Sequence, residues 1–439
     1  MGDESAARST PRGAPWAPLR NPVFARLYLA QLVHLAGDAL VWVALALLAF
    51  EIAGDRAATV LGLALTMRVA AFVVFAPIAG VLADRLPRVW LMVAALAGRA
   101  AILVALAGAA SEWQLYAAML AMNALAAFFT PTYQASVPAV TTRAEYPRAV
   151  ALSGATFELL GVLGPGVAGA VALAFGGRVL FVAAAVALAL SVALLLTLRS
   201  RLDRRVDDAD DARVDPAPGD DARAAVAPER GWTELMSGTR WLWRDRVMRY
   251  GLALELVASI AGAWILVNSV VRVRSSLGLD EFSYGVVMAS FGLGATLLAL
   301  TLASLGTVLG PRRTMTLGAL AITLAVIPAD LVGLAPLAAL WFLAGAGSNA
   351  VNLPMFALMA ERTPRSRHGR VYGAHFAWSH LWWLGAYPLA GWLGTALPNS
   401  SFAVGGTVAA VVLVLVVAAL APGARRAEAA PPYTLEHGA

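Results

Sequence analysis

The sequence predicts an all-α membrane protein with twelve transmembrane helices arranged as two six-helix, pseudo-symmetric halves. Three observations carry that expectation. About 60% of the 439 residues are hydrophobic and only 14% are charged, against about 45–50% and about 25% in soluble chains. The apolar residues fall into twelve runs long enough to cross a bilayer core about 30 Å thick. The second six runs repeat the first six at a nearly constant offset. This composition excludes an ordinary soluble enzyme and a disordered protein. There is no cysteine, which removes disulfides, thiolate metal sites and cysteine nucleophiles, and there is no lysine.

The expected order along the chain is as follows. Residues 1–25 form a polar, arginine-bearing tail without the short apolar core and small-residue cleavage site of a signal peptide. A first bundle, 26–198, holds spans at 26–51, 58–82, 89–110, 113–135, 148–175 and 178–198. A linker, 199–248, contains the run "RRVDDADDARVDPAPGDDARAA", which has almost no large apolar residue with which to order itself. The linker ends in an amphipathic segment whose Trp232, Leu235, Met236, Leu242 and Trp243 share a face, suited to the membrane surface. A second bundle, 249–421, holds spans at 249–271, 283–306, 314–333, 335–359, 371–394 and 401–421. The ninth and tenth spans are divided only by a turn at 333–336. Residues 422–439 form a second tail.

Arginine sets the orientation. With the N-terminus inside, the inner loops carry Arg85, Arg88, Arg143, Arg148, Arg312, Arg313, Arg362, Arg365, Arg367, Arg370, Arg425 and Arg426. The outer loops carry Arg56, Arg178, Arg272 and Arg274. Both termini are therefore expected in the cytoplasm of a bacterial cell with the chain in its inner membrane. The formal charge of +6 follows from this loop bias, so nucleic acid is not an expected partner. The expected partners are small-molecule cargo, protons and the lipid bilayer, with the chain acting as a monomer.

The repeat is visible residue by residue. An offset of about 222 places Arg148 on Arg370, Leu159 on Leu381 and Ala168-Gly169 on Ala390-Gly391. One residue more places Arg26 on Arg249, Pro131 on Pro354 and Tyr133 on Phe356. Parallel repeats of six spans are a transporter design in which two bundles rock about a central site.

Two motifs carry a family resemblance. Gly80 to Arg88, "GVLADRLPR", between the second and third spans resembles the loop signature of the major facilitator superfamily. "LGVLGPGVAG", Leu160 to Gly169, resembles that superfamily's antiporter signature in the fifth span. The opening "NPVFARLYLAQLVHLAGDALVW" and the later "ERTPRSRHGRVYG" are similar to the branch that exports macrolides and enterobactin. The likeness covers about residues 21–421. Pro87, Leu160 and Ala168 stand where the signatures usually have glycine, and Thr307 takes the place of Asp84 in the second half. The resemblance implies proton-coupled efflux and a role in drug resistance. It also implies a conformational gate: Asp84 at the N-terminal end of the eleventh span, Arg85 and Arg88 on acids across the interface, Gly80 allowing close helix approach, and Gly164, Pro165 and Gly169 allowing packing and bending.

Ionisable residues inside the spans mark the candidate site independently, since each costs at least about 2.5–3.5 kcal/mol near the bilayer centre. They are Asp38, Arg68, Arg99, Glu158 and Glu255, with His34, His375 and His380. Helical rise puts Asp38 and Arg68 about 18 and 22 Å from the inner surface, which suggests a pair. It puts Glu158 and Arg99 both near about 15 Å, which suggests another. The repeat places Glu158 and His380 at equivalent positions, where they would face each other across a central cavity and exchange a proton. Asp38, Arg68, Glu158, Glu255 and His380, with Asn123 and Asn349 from the fourth and tenth spans, are the candidates for coupling or cargo binding. Aromatics such as Trp42, Phe129, Tyr133, Trp378 and Tyr387 suit lipophilic cargo. There is no phosphate-binding loop, no metal-ligand spacing and no nucleophile–histidine–acid set, so neither an enzyme nor a cofactor is expected. The readings that remain are export of drug-like molecules, export of one native siderophore, metabolite or lysolipid, and a non-transporting receptor with the same fold.

Overall fold

The computed structural model describes residues 16–83, 86–142, 145–199, 232–364 and 367–428. Thirteen α-helices are found among them, with no strand. The first six are α1 (Pro22–Ala53), α2 (Ala57–Ala83), α3 (Arg88–Ala107), α4 (Glu112–Val140), α5 (Tyr146–Phe175) and α6 (Val179–Leu196). A short helix, α7 (Trp232–Arg244), precedes the second set: α8 (Arg246–Val271), α9 (Glu281–Leu309), α10 (Pro311–Val326), α11 (Leu334–Arg362), α12 (His368–Ala396) and α13 (Ser401–Glu428). Asp84, Arg85, Arg143, Arg365 and the core of the linker lie outside the described residues.

Ten stretches are long and apolar enough to cross a membrane, and one of them, Pro22–Phe75, runs through both α1 and α2. The α12 helix is not among the ten. It carries His375, His380, Trp378, Trp382, Trp383 and Trp392, which hydropathy indices score as polar although their rings pack well. The expected ninth span, 314–333, is met by a helical stretch over Pro311–Leu331, but its end is not α-helical. The α-helix stops at Val326, and residues Ile327–Leu331 tighten into a 3-10 turn with a proline at its start. Proline removes a backbone donor and ends the regular ladder. Asp330 holds the turn to the start of α13 by accepting from the Ala403 N–H at 2.9 Å.

The caps explain where the helices begin. Asn21 accepts from the amides of Val23 and Phe24 and is followed by a proline at the first helical position. Asp245 does the same for Val247 and Met248 at the start of α8. Both caps also reach sideways. Asn21 donates to the Val140 carbonyl at the end of α4 at 2.7 Å, and Asp245 accepts from Arg362 at the end of α11 at 2.9 Å. The same corner of the fold is thus built twice.

Within the first half, α1 packs on α5 and α6, α2 on α4, and α3 on α4 and α6. In the second, α8 packs on α12 and α13, and α11 on α9 and α10. The halves meet along α2 with α12 and α5 with α9. In a bilayer the apolar solvent rewards no burial of leucine, so close backbone approach at small residues sets helix association. The crossings obey this rule. An added Cβ on Gly62 would meet the Tyr387 carbonyl at 2.6 Å and the Gly391 Cα at 3.1 Å. One on Gly285 would meet the Pro165 carbonyl at 2.6 Å and the Gly169 Cα at 2.9 Å. Gly169 and Gly391 were matched by the sequence repeat; the structure makes them the centres of two equivalent seams.

Both seams lie toward the face that bears the α1–α2 and α5–α6 turns, here called the distal face. Both ends of the described chain lie on the other, terminal face. Thr59 donates to the Gly391 carbonyl at 3.0 Å and bonds Thr395 at 2.7 Å. Ser275 donates to Asp55 at 2.5 Å. These bonds tie the halves together at the distal face. At the terminal face, α7 docks on the first turns of α12. Gly238 lies against the backbone of Arg370, and Trp243 meets Trp378 edge to face at 5.1 Å.

Candidate functional site

The ionisable side chains of the first half converge on one cavity. His34, Asp38 and Trp42 recur every fourth residue of α1 and so share a face. Arg99 of α3 donates to Asp38 at 2.6 Å. One nitrogen of the same guanidinium stands 3.5 Å from His34 Nδ1, and His34 Nε2 is 3.6 Å from the second Asp38 oxygen. Arg99 and His34 are buried, whereas the Asp38 side chain keeps 29% of its surface exposed. The cluster is held by aromatic packing: the Phe129 ring sits 4.6 Å from the His34 ring.

The expected Asp38–Arg68 pair is not formed. Arg99 takes the carboxylate, and the Arg68 guanidinium lies 4.4 Å over the Trp42 ring. Depth along a helix is a single coordinate; it does not report which way α2 and α3 turn their side chains. No described carboxylate forms an ion pair with Arg68, whose close contact is the Trp42 ring face, with Asp38 acting on it only at longer range. The expected Glu158–Arg99 and Glu158–His380 pairs involve a side chain outside what the structure describes.

Asp38, His34, Arg99, Arg68 and Asn123 line a cavity of about 200 Å³ in the first half. Arg68 and Trp42 also line a second cavity, of about 330 Å³, together with Ser379, His380 and Tyr387. That second space lies between the halves, because it draws on α1 and α2 from one and α8 and α12 from the other. Trp42 borders a third, apolar space of about 170 Å³ with Pro165, Tyr284 and Phe291. Trp42 is therefore the wall common to all three spaces, and Arg68 borders the two polar ones.

The second half carries a different arrangement. His375 of α12 contacts both Glu255 oxygens, at 2.8 and 3.0 Å. Their side chains are only 6% and 4% exposed. Phe356 covers the imidazole edge to face at 5.3 Å. His380, one turn further along α12, turns its Nδ1 to the Phe376 carbonyl at 2.8 Å.

The remaining candidates divide. Asn123 donates to the Met119 carbonyl at 2.7 Å while bordering the cavity. Asn349 donates across to the Ala295 carbonyl of α9 at 2.9 Å, joining two helices of the same half. Gly80 falls in the last turns of α2 and Arg88 opens α3. Gly164 presses against Ala39 of α1, and Pro165 and Gly169 form the α5–α9 seam. Arg99's tie to Asp38, and Gly62 and Gly285 as seam partners, were not read from the sequence. The repeat offset, applied to glycines outside the motifs, would have found the last two.

The Major Facilitator Superfamily model matches residues 27–271 and 252–437, and the chain belongs to that superfamily. A Bacillus subtilis (strain 168) protein described as an uncharacterized MFS-type transporter, YfiS, is 25% identical over 341 residues, covering 74% of this chain and 76% of that one. Among solved structures, the nucleoside transporter NupG superposes with a TM-score of 0.66 at 13% identity, over 90% of this chain and 98% of the other. A variant of the peptide transporter POT gives 0.68 at 15%, over 92% and 95%. A bacterial homolog of the human lysosomal transporter Spinster, inward-facing and occupied, also gives 0.68 at 15%, over 95% and 98%. At these identities the likeness concerns the fold. The chain is a multi-pass membrane transporter of this type.

Proposed function

We propose that the protein exports small, partly apolar molecules from the cytoplasm in exchange for protons, within the exporter branch that its motifs resemble. On this reading the terminal face is cytoplasmic, and the distal seams close the outer side in the conformation described. The observation that carries it is the Asp38 carboxylate, partly exposed on a cavity wall and held by one buried arginine. A proton arriving at Asp38 neutralises it and releases Arg99; its departure restores the pair. Such an exchange gives the cavity two electrostatic states without moving any other charge.

Arg68 refines the cargo. A guanidinium with no described carboxylate, on a ring face between two cavities, favours a molecule with an acidic group and an aromatic or apolar body. The same feature supports a dedicated exporter of one acidic metabolite as the second reading.

The test uses cells producing wild type or Asp38→Asn at matched membrane levels, loaded with fluorescein as an aromatic anion or ethidium as an aromatic cation. Wild type should lower fluorescein accumulation more than ethidium, and both a protonophore and Asp38→Asn should abolish the effect. Export that survives Asp38→Asn but not the protonophore would remove Asp38 from the coupling path. Equal accumulation in wild-type and empty cells for both probes would leave only the dedicated exporter.

A further inference from the structure

A second concave site lies far from the interior cavities, at the terminal face of the second half. A depression of about 400 Å³ is lined by Arg312, Arg313, Thr316 and Leu317 of α10 and by Arg425 of α13, with no carboxylate among the described residues that line it. Two helices form its wall and a third flanks it. The Gly310 backbone turns at φ 72° and Pro311 starts α10, which sets two consecutive arginines in the first helical turn. The α13 helix brings Arg425 and Arg426 in its last turn. The α8 helix adds Arg246, whose stem lies against Gly423. Thr316 is fixed from beneath by the Tyr250 hydroxyl at 2.8 Å.

Two further facts indicate what such a site holds. The opening turn of a helix presents backbone N–H groups without intrahelical acceptors, and these favour an anion. Directly below, α10 exposes Leu317, Leu320 and Leu324, and α13 exposes Val411, Val414 and Leu415. A multi-pass protein turns such faces to lipid tails. The arginines thus stand where an apolar, tail-facing wall reaches the level of the headgroups. A free anion would use the upper part alone; an amphipathic anion would use both.

We infer that this depression binds the headgroup of an anionic phospholipid, with its phosphate between Arg313 and Arg425 and its chains along the α10–α13 wall. Loop arginines that merely orient a chain need no shared concavity. Basic recesses between membrane helices suit acidic headgroups, at about 1 kcal/mol per arginine near the surface.

The experiment is native mass spectrometry of detergent-purified full-length protein, titrated with dioleoylphosphatidylglycerol, dioleoylphosphatidylcholine or inorganic phosphate. Wild type should retain phosphatidylglycerol in preference to phosphatidylcholine, with the preference falling as ionic strength rises. Arg313→Gln/Arg425→Gln should weaken phosphatidylglycerol retention by about 30-fold. Arg20→Gln, on the same face of the other half, should leave it unchanged, and Arg313→Lys/Arg425→Lys should keep most of it. Phosphate that displaces phosphatidylglycerol at low millimolar concentration would make the occupant a free anion and overturn the lipid assignment. Equal retention of both lipids by wild type, or equal loss in the Arg20 and Arg313/Arg425 variants, would overturn the site. If the glutamine pair does not reach the membrane, the salt dependence of wild type and the lysine pair's retention decide the question.

Discussion

The two halves share a backbone plan but not a polar chemistry. Their N-caps, Asn21 and Asp245, hold equivalent helix ends, and their seams, Gly62 with Gly391 and Gly285 with Gly169, exchange under the repeat. Carried over by the caps, His34 and Asp38 fall on Ala258 and Gly262; carried over as Gly62 is to Gly285, Arg99 falls on Ile322. Gly262 is filled by the edge of Trp383, 2.7 Å from where a Cβ would stand, and Ile322 is fully buried. The second half thus has packing where the first has a charge cluster. The converse holds one turn away. Gln31, Tyr133 and Ser153 form a neutral network in the first half, and their counterparts are Glu255, Phe356 and His375. Each half keeps one ionisable cluster, at different positions: the first faces a cavity, the second is sealed. The seams are shared between the halves, while the ionisable groups differ.

The largest expected effect breaks the first cluster at its buried member. Arg99→Gln leaves Asp38 without its partner inside the protein. Because Asp38 keeps 29% of its surface exposed, the loss should stay below the about 3–5 kcal/mol of a fully buried pair; the thermal midpoint of the purified protein should still fall and export should cease. The double variant Asp38→Asn/Arg99→Gln removes both charges. It should recover most of the midpoint and none of the export. A double variant as unstable as Arg99→Gln would mean that Arg99 matters for packing rather than for pairing, and the contrast between the halves would lose its electrostatic content.

A smaller effect tests the likeness. Gly169→Ala and Gly391→Ala each place a methyl group against the opposing helix, where the nearest atoms are backbone. Overpacking of this kind costs about 1–3 kcal/mol, charged only to the conformation in which the distal seams are shut. Both variants should therefore favour opening at the distal face, by similar amounts. The chain has no cysteine, so Ala58→Cys, at a fully buried residue beside Gly391 in the seam, gives a single reporter. Its labelling by a membrane-impermeant maleimide should rise about tenfold or more in either variant. A rise in one variant alone would show that the seams do not act as a pair.

Much of this plan was legible in the sequence because length, apolar runs and a repeat are one-dimensional quantities. The twelve runs became helices within a few residues of the expected bounds, and the offset that matched Gly169 with Gly391 proved to be a seam. What could not be read was rotation about a helix axis. Asp38 and Arg68 have compatible depths, yet Arg99 occupies the space between α1 and the carboxylate's neighbours, and Arg68 turns onto Trp42. The pairing of Glu255 with His375 was missed for the same reason: the two lie on helices four apart in the chain, and only packing brings α8 against α12. The ninth span was found, but its change from α-helix to a 3-10 turn over Ile327–Leu331 was not, because these residues are apolar enough to continue a helix while the proline among them stops it.

The smallest expected effect concerns the sealed cluster. Glu255→Gln keeps the shape of the side chain and one hydrogen bond to His375, but removes the group's ability to carry a charge. If the cluster holds α8 to α12 as a strut, the loss is that of one improved hydrogen bond, about 1 kcal/mol. The thermal midpoint should fall slightly, and export should keep the wild-type protonophore sensitivity at a rate within severalfold. The transport readout separates the two uses of a buried carboxylate, since a strut tolerates the amide and a proton carrier does not. Export lost in Glu255→Gln at a preserved midpoint, together with export retained in Asp38→Asn, would move the coupling group to the second half and reverse the division of labour drawn from the exposure of the two clusters.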